Sequence, residues 1–226
     1  MIRRMAFLGI VLCTILLFSG CASENKPPGQ TEVPVEEPKT TESPNTTPIP
    51  KETPVEEPKP APPTNNWNSD GILSQNEYKN SKEFGNGRYT IYWSNDGEYM
   101  YMAIKGQTSG WVSIGFEPTQ AMKDADMIFG WVTSGSSTIL DIYSTGAFGP
   151  HPPDQQLGGA NDLIETSGSE AGGFTIIEFK RKLNTGDRYD KAFVNGQNIN
   201  IIWGLGSSDN LDSPHTSRGS GTIILD

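Results

Sequence analysis

The chain has 226 residues and carries 17 lysines and arginines against 27 aspartates and glutamates, which gives a net charge of −10. An acidic chain lacks the basic surface that binds nucleic acid or anionic lipid headgroups, so neither is expected as a partner. The charge is +2 over residues 1–20, −4 over residues 21–66 and −8 over residues 67–226, three segments that also differ in composition.

Residues 1–20 have the organisation of a lipoprotein signal peptide. Arg3 and Arg4 form a basic start, an apolar run follows over residues 5–17, and the sequence LFSGC ends at Cys21. The run is too short to span a bilayer comfortably. We expect cleavage before Cys21 and lipid attachment to its thiol. The protein would then be extracytoplasmic and membrane-anchored, at the cell surface or in the periplasm, and the alternative is an uncleaved signal anchor.

The two cysteines exclude several kinds of site. Cys13 lies in the segment expected to be removed and Cys21 is expected to carry lipid, so no disulfide and no thiolate metal site is predicted. The sequence has no C-x-x-C-H motif, which excludes covalently attached c-type haem. Core burial alone must therefore stabilise the folded part.

Residues 21–66 are predicted to be a lipid-anchored, disordered tether rich in Pro, Glu and Thr. Residues 22–66 hold 12 of the 17 prolines and no aromatic residue, and the hexapeptide PVEEPK occurs at 34–39 and at 54–59. Such a composition cannot bury enough apolar surface to offset the entropy of ordering. At about 3.1 Å per residue, its reach is on the order of 130 Å. Asn45 begins a glycosylation sequon, which matters only in a host that glycosylates outside the cell.

Residues 67–226 form the predicted folded domain, and their periodicity is that of β-strands. For example, YMYMAIKG places Met100, Met102 and Ile104 on one face, where core packing is expected. Gly- and Asn-rich turns separate such runs, and no window shows a helical stripe of ten or more residues. We therefore predict one all-β domain, an antiparallel immunoglobulin-like β-sandwich of about 8–11 strands. The candidate strands are RYTIYWS, YMYMAIKG, GWVSIGF, DMIFGWV, STILDIYST, GFTIIEFKRKL, INIIWGLG and GTIILD.

Three polar segments stand between or before these strands. Residues 70–81, DGILSQNEYKNS, are expected to form a short helix or a capped turn at the entrance of the domain. Met122 lies in a polar turn just before DMIFGWV. His215 is expected on a polar loop, with the last strand beginning at Gly221.

The sequence offers few residues that could catalyse hydrolysis. The sequence has two histidines, His151 and His215, and no G-x-S-x-G motif, which argues against a serine triad and a His-rich copper or zinc site. Paired carboxylates for glycoside hydrolysis stay open, although Asp154 follows Pro153 and Asp162 follows Asn161, positions where Asp usually caps turns. We expect an electron carrier or binding module, not an enzyme. The acidic candidates are Asp124, Asp126, Asp141, Asp154, Asp162, Glu165 and Glu170.

Five stretches of the domain together resemble one known family over nearly all of residues 68–226. They are DGILSQNEY, GWVSIGFEPTQAMKDADMIFGWV, YSTGAFGPHPPDQQLGGANDL, FKRKLNTGD and WGLGSSDNLDSPHTSRG, of which AMKDADMIFG and H-x-x-R-G are the most diagnostic. The domain resembles a DOMON domain, the family named after the N-terminal domain of dopamine β-monooxygenase. This family is related to the haem-binding cytochrome domain of cellobiose dehydrogenase.

The resemblance implies a site for b-type haem. In haem-binding members, a Met on the loop after the G-W-V-x-x-G strand and a His before the last strand are the axial ligands, and these positions fall on Met122 and His215. A Met/His pair leaves no open position on the iron, which favours single-electron transfer. The supporting residues are Arg218, as a partner of a haem propionate, and Trp111, Met127 and Trp203, as walls of an apolar slot.

Other interpretations stay open from the sequence alone. Met122 could fill the core, and His215 could be a solvated turn residue. His151, in GPHPPDQ, is expected to be exposed and is treated as a secondary site for a ligand or partner, not as an iron ligand. The alternative to electron exchange with a membrane donor or a redox partner protein is a non-redox module that binds carbohydrate or another small ligand. The 19 aromatic residues of the domain would also suit such a module.

Overall fold

The computed structural model describes residues 66–226. The predictions of a signal peptide, of lipidation at Cys21, of a disordered tether and of a sequon at Asn45 lie outside these residues. Within them the chain forms ten strands and one short helix. The elements are β1 (Asn80–Phe84), β2 (Tyr89–Asn95), β3 (Tyr99–Gly106), β4 (Val112–Phe116), β5 (Asp126–Thr133), β6 (Ser136–Tyr143), α1 (Asp154–Leu157), β7 (Leu163–Ala171), β8 (Phe174–Lys182), β9 (Gln197–Gly206) and β10 (His215–Leu225).

The ten strands form two five-stranded antiparallel sheets. The first sheet has the order β1-β2-β3-β8-β7 and the second has the order β10-β9-β4-β5-β6. Their facing sides enclose one apolar core, to which both sheets contribute side chains. The predicted antiparallel β-sandwich of about 8–11 strands is therefore confirmed.

The alternation of side chains along β3 explains how the core forms. Met100, Met102 and Ile104 are fully buried, as expected for residues that share one face of a strand. The register pairs Met102 with Trp93 on β2, which also lies in this core. The prediction that these methionines serve core packing is confirmed.

The segment before β1 is a capped turn and not a helix. The backbone N–H of Ser74 donates to Glu77 Oε2 at 2.8 Å, and the N–H of Glu77 donates to the Ser74 carbonyl at 3.4 Å. Glu178 on β8 then anchors the segment, because its carboxylate accepts the Gly71 N–H at 2.6 Å and the Tyr78 hydroxyl at 2.8 Å. Burial raises the pKa of Glu178, and these donors lower it in part.

The strands β1 and β7 and the true start of the last strand, β10, were not predicted. The sequences of β1 and β7 are mostly polar, so apolar and polar residues do not alternate clearly and no apolar face can be recognised there. The expected start of the last strand at Gly221 is wrong, because β10 begins at His215 and pairs with β9 along its whole length. The first half of β10 is polar and contains glycine, so its sequence does not look like a strand. Gly219 is nevertheless required there, because a Cβ on this residue would lie 2.6 Å from the indole of Trp203.

Among residues 66–226, no helix combines the length and the apolar character needed to cross a bilayer.

Candidate functional site

The second sheet is apolar on both faces. Along β5, Ile128 points into the core between the sheets, whereas Met127 and Phe129 point to the outer face. There they pack with Trp111, Ala125 and Ile142 in a second apolar cluster. A sheet face that packs no other sheet is usually polar and solvated. Apolar residues on this outer face therefore indicate a surface that other parts of the molecule, or a ligand, must cover.

Three loops cover this outer face and leave a groove between them. The loops follow β4, β6 and β9, and the groove encloses about 1010 Å³. That volume lies at the upper end of the range for small-molecule and cofactor sites. Side chains lining the groove include Trp111, Met122, Met127, Phe129, Phe148, His151, Ile202, Leu211, His215 and Arg218.

Met122 lies on the wall that the loop after β4 contributes. Its backbone N–H donates to the Ala147 carbonyl at 3.3 Å, and its own carbonyl accepts the Ala125 N–H at 3.0 Å. Ala121 adopts a left-handed φ of 52°, which makes the turn tight. These hydrogen bonds hold the backbone of Met122 in place beside the groove that the residue lines.

His215 lies on another wall, where β10 begins. A β-bulge between His215 and Ser217 turns this end of the strand, a common way to re-aim a side chain at a sheet edge. His215 Nε2 is 3.1 Å from Arg218 Nη1. A guanidinium offers only donors, so Nε2 acts as the acceptor and the ring proton lies on Nδ1. In this tautomer the lone pair of Nε2 faces Arg218, and the nitrogen can bind a metal only when Arg218 moves away.

The floor of the groove depends on glycines that admit large aromatic rings. The Trp111 indole lies over Gly204, where an added Cβ would come within 3.1 Å of the ring. Its Nε1 donates to Ser213 Oγ at 2.8 Å, and its ring centroid is 4.3 Å from that of Phe129. Trp111 thus joins the apolar floor to the loop that precedes His215.

Trp203 borders the groove, but its side chain belongs to the core between the sheets. Its ring stacks on Tyr89 of the first sheet, with centroids 4.9 Å apart and an angle of 20° between the planes. Gly85 leaves room for the far edge of the indole. The predicted slot therefore takes its apolar side chains from the outer face, from Trp111 and Met127, more than from Trp203.

His151 lines the same groove as Met122 and His215. Its ring is half-buried and stacks on Phe129, with centroids 6.2 Å apart and planes 25° apart. The loop after β6 therefore brings a second imidazole into the site. The sequence could not show this, because nothing in GPHPPDQ indicates which strand the loop folds over.

A cluster of buried aspartates around Arg181 was missed by the sequence analysis. Arg181 is fully buried, and its Nη1 donates to both carboxylate oxygens of Asp126, at 2.9 and 2.8 Å, and to Asp190 Oδ1 at 3.3 Å. Asp126 and Asp141, two of the acidic candidates, lie on strands, are buried and do not cap turns. The detectable signal was the alternation of β8, which places Arg181 on the same face as Ile177 and Phe179.

Burial controls the protonation of this cluster. It raises the pKa of Asp141 to about 8, with a further contribution from the Asp190 carboxylate. It raises the pKa of Asp154 to about 7, again with help from Asp190. Burial alone would lower the pKa of Arg181, but the surrounding carboxylates outweigh it and the pKa is raised. The guanidinium is therefore charged at every physiological pH, whereas some of the carboxyls hold protons.

The domain is thus a two-sheet β-sandwich with an apolar, cofactor-sized groove on the outer face of one sheet. The family model described as "DOMON domain" matches residues 85–206, more than half of the chain. The chain belongs to the DOMON family, as the sequence stretches around Met122 and His215 predicted.

Several relatives share this region of the chain. The chain is 32% identical over 123 residues to DBH-like monooxygenase protein 1 of Mus musculus. This alignment covers 54% of this chain and 19% of that protein. The chain is 31% identical over 143 residues to MOXD1 homolog 1 of Drosophila melanogaster, which covers 59% of this chain and 20% of that protein. The chain thus matches about a fifth of the length of these relatives.

Two solved structures are also similar. The cytochrome domain of Myriococcum thermophilum cellobiose dehydrogenase superposes with a TM-score of 0.43 at 15% identity, covering 61% of this chain and 75% of that one. The cytochrome b domain of pyranose dehydrogenase from Coprinopsis cinerea gives a TM-score of 0.41 at 13% identity, covering 60% of this chain and 76% of that one.

Proposed function

We propose that the groove binds b-type haem between Met122 and His215 and that the domain transfers single electrons. The observation that carries this proposal is that Met122, on the loop after β4, and His215, at the start of β10, are 93 positions apart in sequence but bring a thioether and an imidazole to one apolar groove of about 1010 Å³. Both side chains are ligands that haem iron accepts, and together they favour the ferrous state. Since they would fill both axial positions, the bound group would supply electron transfer and not oxygen activation.

The other lining residues fit the same ligand. Met127, Phe129 and Trp111 offer an apolar surface for a flat macrocycle. Glycines such as Gly204 have no side chain that would displace the Trp111 ring from this surface. Arg218 is the lining residue that can pair with a propionate, and bidentate pairing with carboxylate is what a guanidinium does best. Arg218 would exchange its contact with His215 Nε2 for that carboxylate, which frees the ring nitrogen to act as a ligand.

The setting we propose for this chemistry is extracytoplasmic. With Cys21 lipidated and residues 21–66 acting as a flexible arm, the domain would exchange electrons between a membrane donor and a redox partner protein. The function is that of a carrier, since the groove would offer its ligand no open position for a substrate.

Visible spectroscopy of protein mixed with haem tests this proposal. We expect sharp reduced Soret, α and β bands for the native protein, and loss of the low-spin pattern in Met122→Leu and His215→Ala. The groove supplies matched controls, since Met127→Leu and His151→Ala change the same residue types and should keep the bands. Bands that survive His215→Ala but disappear in His151→Ala would show that the ligand assignment is wrong. A colourless native protein would end the haem proposal.

One observation favours a second candidate, a module that binds carbohydrate or another small ligand. Phe148 at the groove is 86% exposed, and an exposed aromatic ring is the kind of surface on which a sugar stacks. This candidate predicts retention on immobilised glycans by colourless protein and loss of retention in Phe148→Ala. Unchanged retention in that variant would contradict it.

A further inference from the structure

Three buried carboxylates converge on one point behind the groove. Asp126, Asp141 and Asp190 can each place an oxygen within 4.8 Å of the other two. Their side chains are almost fully inaccessible, with exposed fractions of 1%, 3% and 2%. Within residues 66–226, their ion pairs are to Arg181 alone. When all are ionised, three negative charges and one positive charge leave −2 in a buried space.

Two oxygens of this cluster are buried without a hydrogen-bond partner. Asp141 uses Oδ2 to accept the Asp162 N–H at 2.8 Å, while its Oδ1 has no donor. Asp190 uses Oδ1 for Arg181, while its Oδ2 has no donor. A buried carboxylate oxygen without a donor is costly, because nothing replaces the water that it has lost. Asp141 and Asp190 are thus each held by the protein through one oxygen and present the other, whereas both oxygens of Asp126 accept hydrogen bonds from Arg181.

The chemistry of this donor set is that of a hard cation. Ca²⁺ takes oxygen ligands at about 2.3–2.6 Å, so a single ion can bridge oxygens that are up to about 5 Å apart. Mg²⁺ binds at about 2.0–2.1 Å, demands near-octahedral geometry and keeps several waters. Ca²⁺ tolerates a less regular geometry than Mg²⁺ and therefore suits a fixed cluster of carboxylates better, and a divalent ion would neutralise the residual charge of −2.

We propose that Asp126, Asp141 and Asp190 form a structural Ca²⁺ site, distinct from the groove and beyond its proposed function. The three ligands come from the start of β5, from β6 and from the segment between β8 and β9. That segment already docks here, since the Lys191 N–H donates to Asp126 Oδ2 at 2.8 Å. The ion would fasten this segment to the second sheet directly beside Met127, the residue that follows Asp126 and lines the groove.

The test is thermal unfolding of the haem-free protein, first treated with chelator and then titrated with CaCl₂ or MgCl₂. We expect a rise in Tm of roughly 5–10 °C when Ca²⁺ reaches a hundred times its Kd, and a much smaller rise with Mg²⁺. Asp141→Asn should weaken Ca²⁺ binding at least tenfold, whereas the exposed Asp212→Asn, a matched control, should leave the titration unchanged. Sensitised Tb³⁺ luminescence should show the same ranking.

Asp141→Asn also keeps the proposal testable if one variant folds poorly. Its amide preserves an acceptor for the Asp162 N–H and cannot ionise in the buried cluster, so the metal-free variant should be at least as stable as the native protein. Asp190→Asn is the second variant, with the same expected loss of Ca²⁺ binding. No Tm shift at 10 mM CaCl₂, an equal shift with Mg²⁺, or an undiminished Ca²⁺ shift in both variants would each overturn the site.

Discussion

The contact between Arg181 and its aspartates gives the sharpest prediction about stability. Arg181→Met removes the guanidinium but keeps an unbranched apolar side chain between Phe116 and Phe193, on which the guanidinium stacks at 5.9 and 5.5 Å. The substitution leaves Asp126 and Asp190 buried without their cation. Breaking one side of a buried ion pair in this way typically costs about 3–5 kcal/mol.

The preceding residue supplies a matched control. Lys180 pairs with Glu165 at 2.8 Å, but the two side chains are 21% and 49% exposed, and an exposed pair of this kind contributes about 0–1 kcal/mol. Lys180→Met should therefore change stability several times less than Arg181→Met, although the two residues are adjacent on β8.

Guanidinium chloride unfolding at pH 7, followed by tryptophan fluorescence, measures both variants. We expect the midpoint to fall strongly for Arg181→Met with the slope preserved, and part of the loss to return in the double variant Arg181→Met with Asp126→Asn, where one unpaired charge is also removed. A loss below about 1 kcal/mol for Arg181→Met, or one equal to that of Lys180→Met, would refute the view that the guanidinium compensates the buried carboxylates.

Two further changes test the acidic cluster and the aromatic packing. The pKa of about 8 for Asp141 and of about 7 for Asp154 lies above the ordinary value of 3.8, so the folded protein holds protons that the unfolded chain has released. In the presence of a chelator, Tm should therefore fall as pH rises from 5 to 8 and level off above it; a rise over this interval would contradict the raised pKa values. Gly219→Ala would place a methyl group 2.6 Å from the Trp203 indole, and overpacking of this kind should cost about 1–3 kcal/mol in urea unfolding. Unaltered stability would mean that the indole moves freely.

The sandwich could be predicted because its core strands alternate. In β3 and β9 the inward positions carry Met, Ile, Trp or Leu at every second residue. Burial alternates with that period from Ile199 to Trp203 of β9, whereas both faces of β3 are buried from Met100 to Ile104. The same rule finds no strand in β7 or at the start of β10, where side chains are polar or absent. Those strands form because their neighbours offer free hydrogen-bonding edges, which a single segment of sequence does not reveal.

The site was predictable in part, for a different reason. Met122 and His215 followed from their resemblance to family positions. The unbroken apolar run of DMIFGWV agrees with the burial of both faces of β5 but does not by itself locate the groove that the two residues share. The entry of His151 into the groove and the convergence of Asp141 and Asp190 on Asp126 depend on how separate loops fold over the sheet. These contacts are tertiary, and no local pattern records them.

The reduction potential of the haem-loaded protein, compared with that of Met122→His, tests the central claim most directly. Exchanging a neutral thioether for a second imidazole should keep the haem bound and low-spin but lower the potential clearly, because thioether ligation is what favours ferrous iron. The matched groove variant Met127→Leu, which keeps the floor apolar, should leave the potential near that of the native protein. A potential that is the same in the native protein and in Met122→His would contradict axial ligation by Met122, and with it the proposed electron-transfer site.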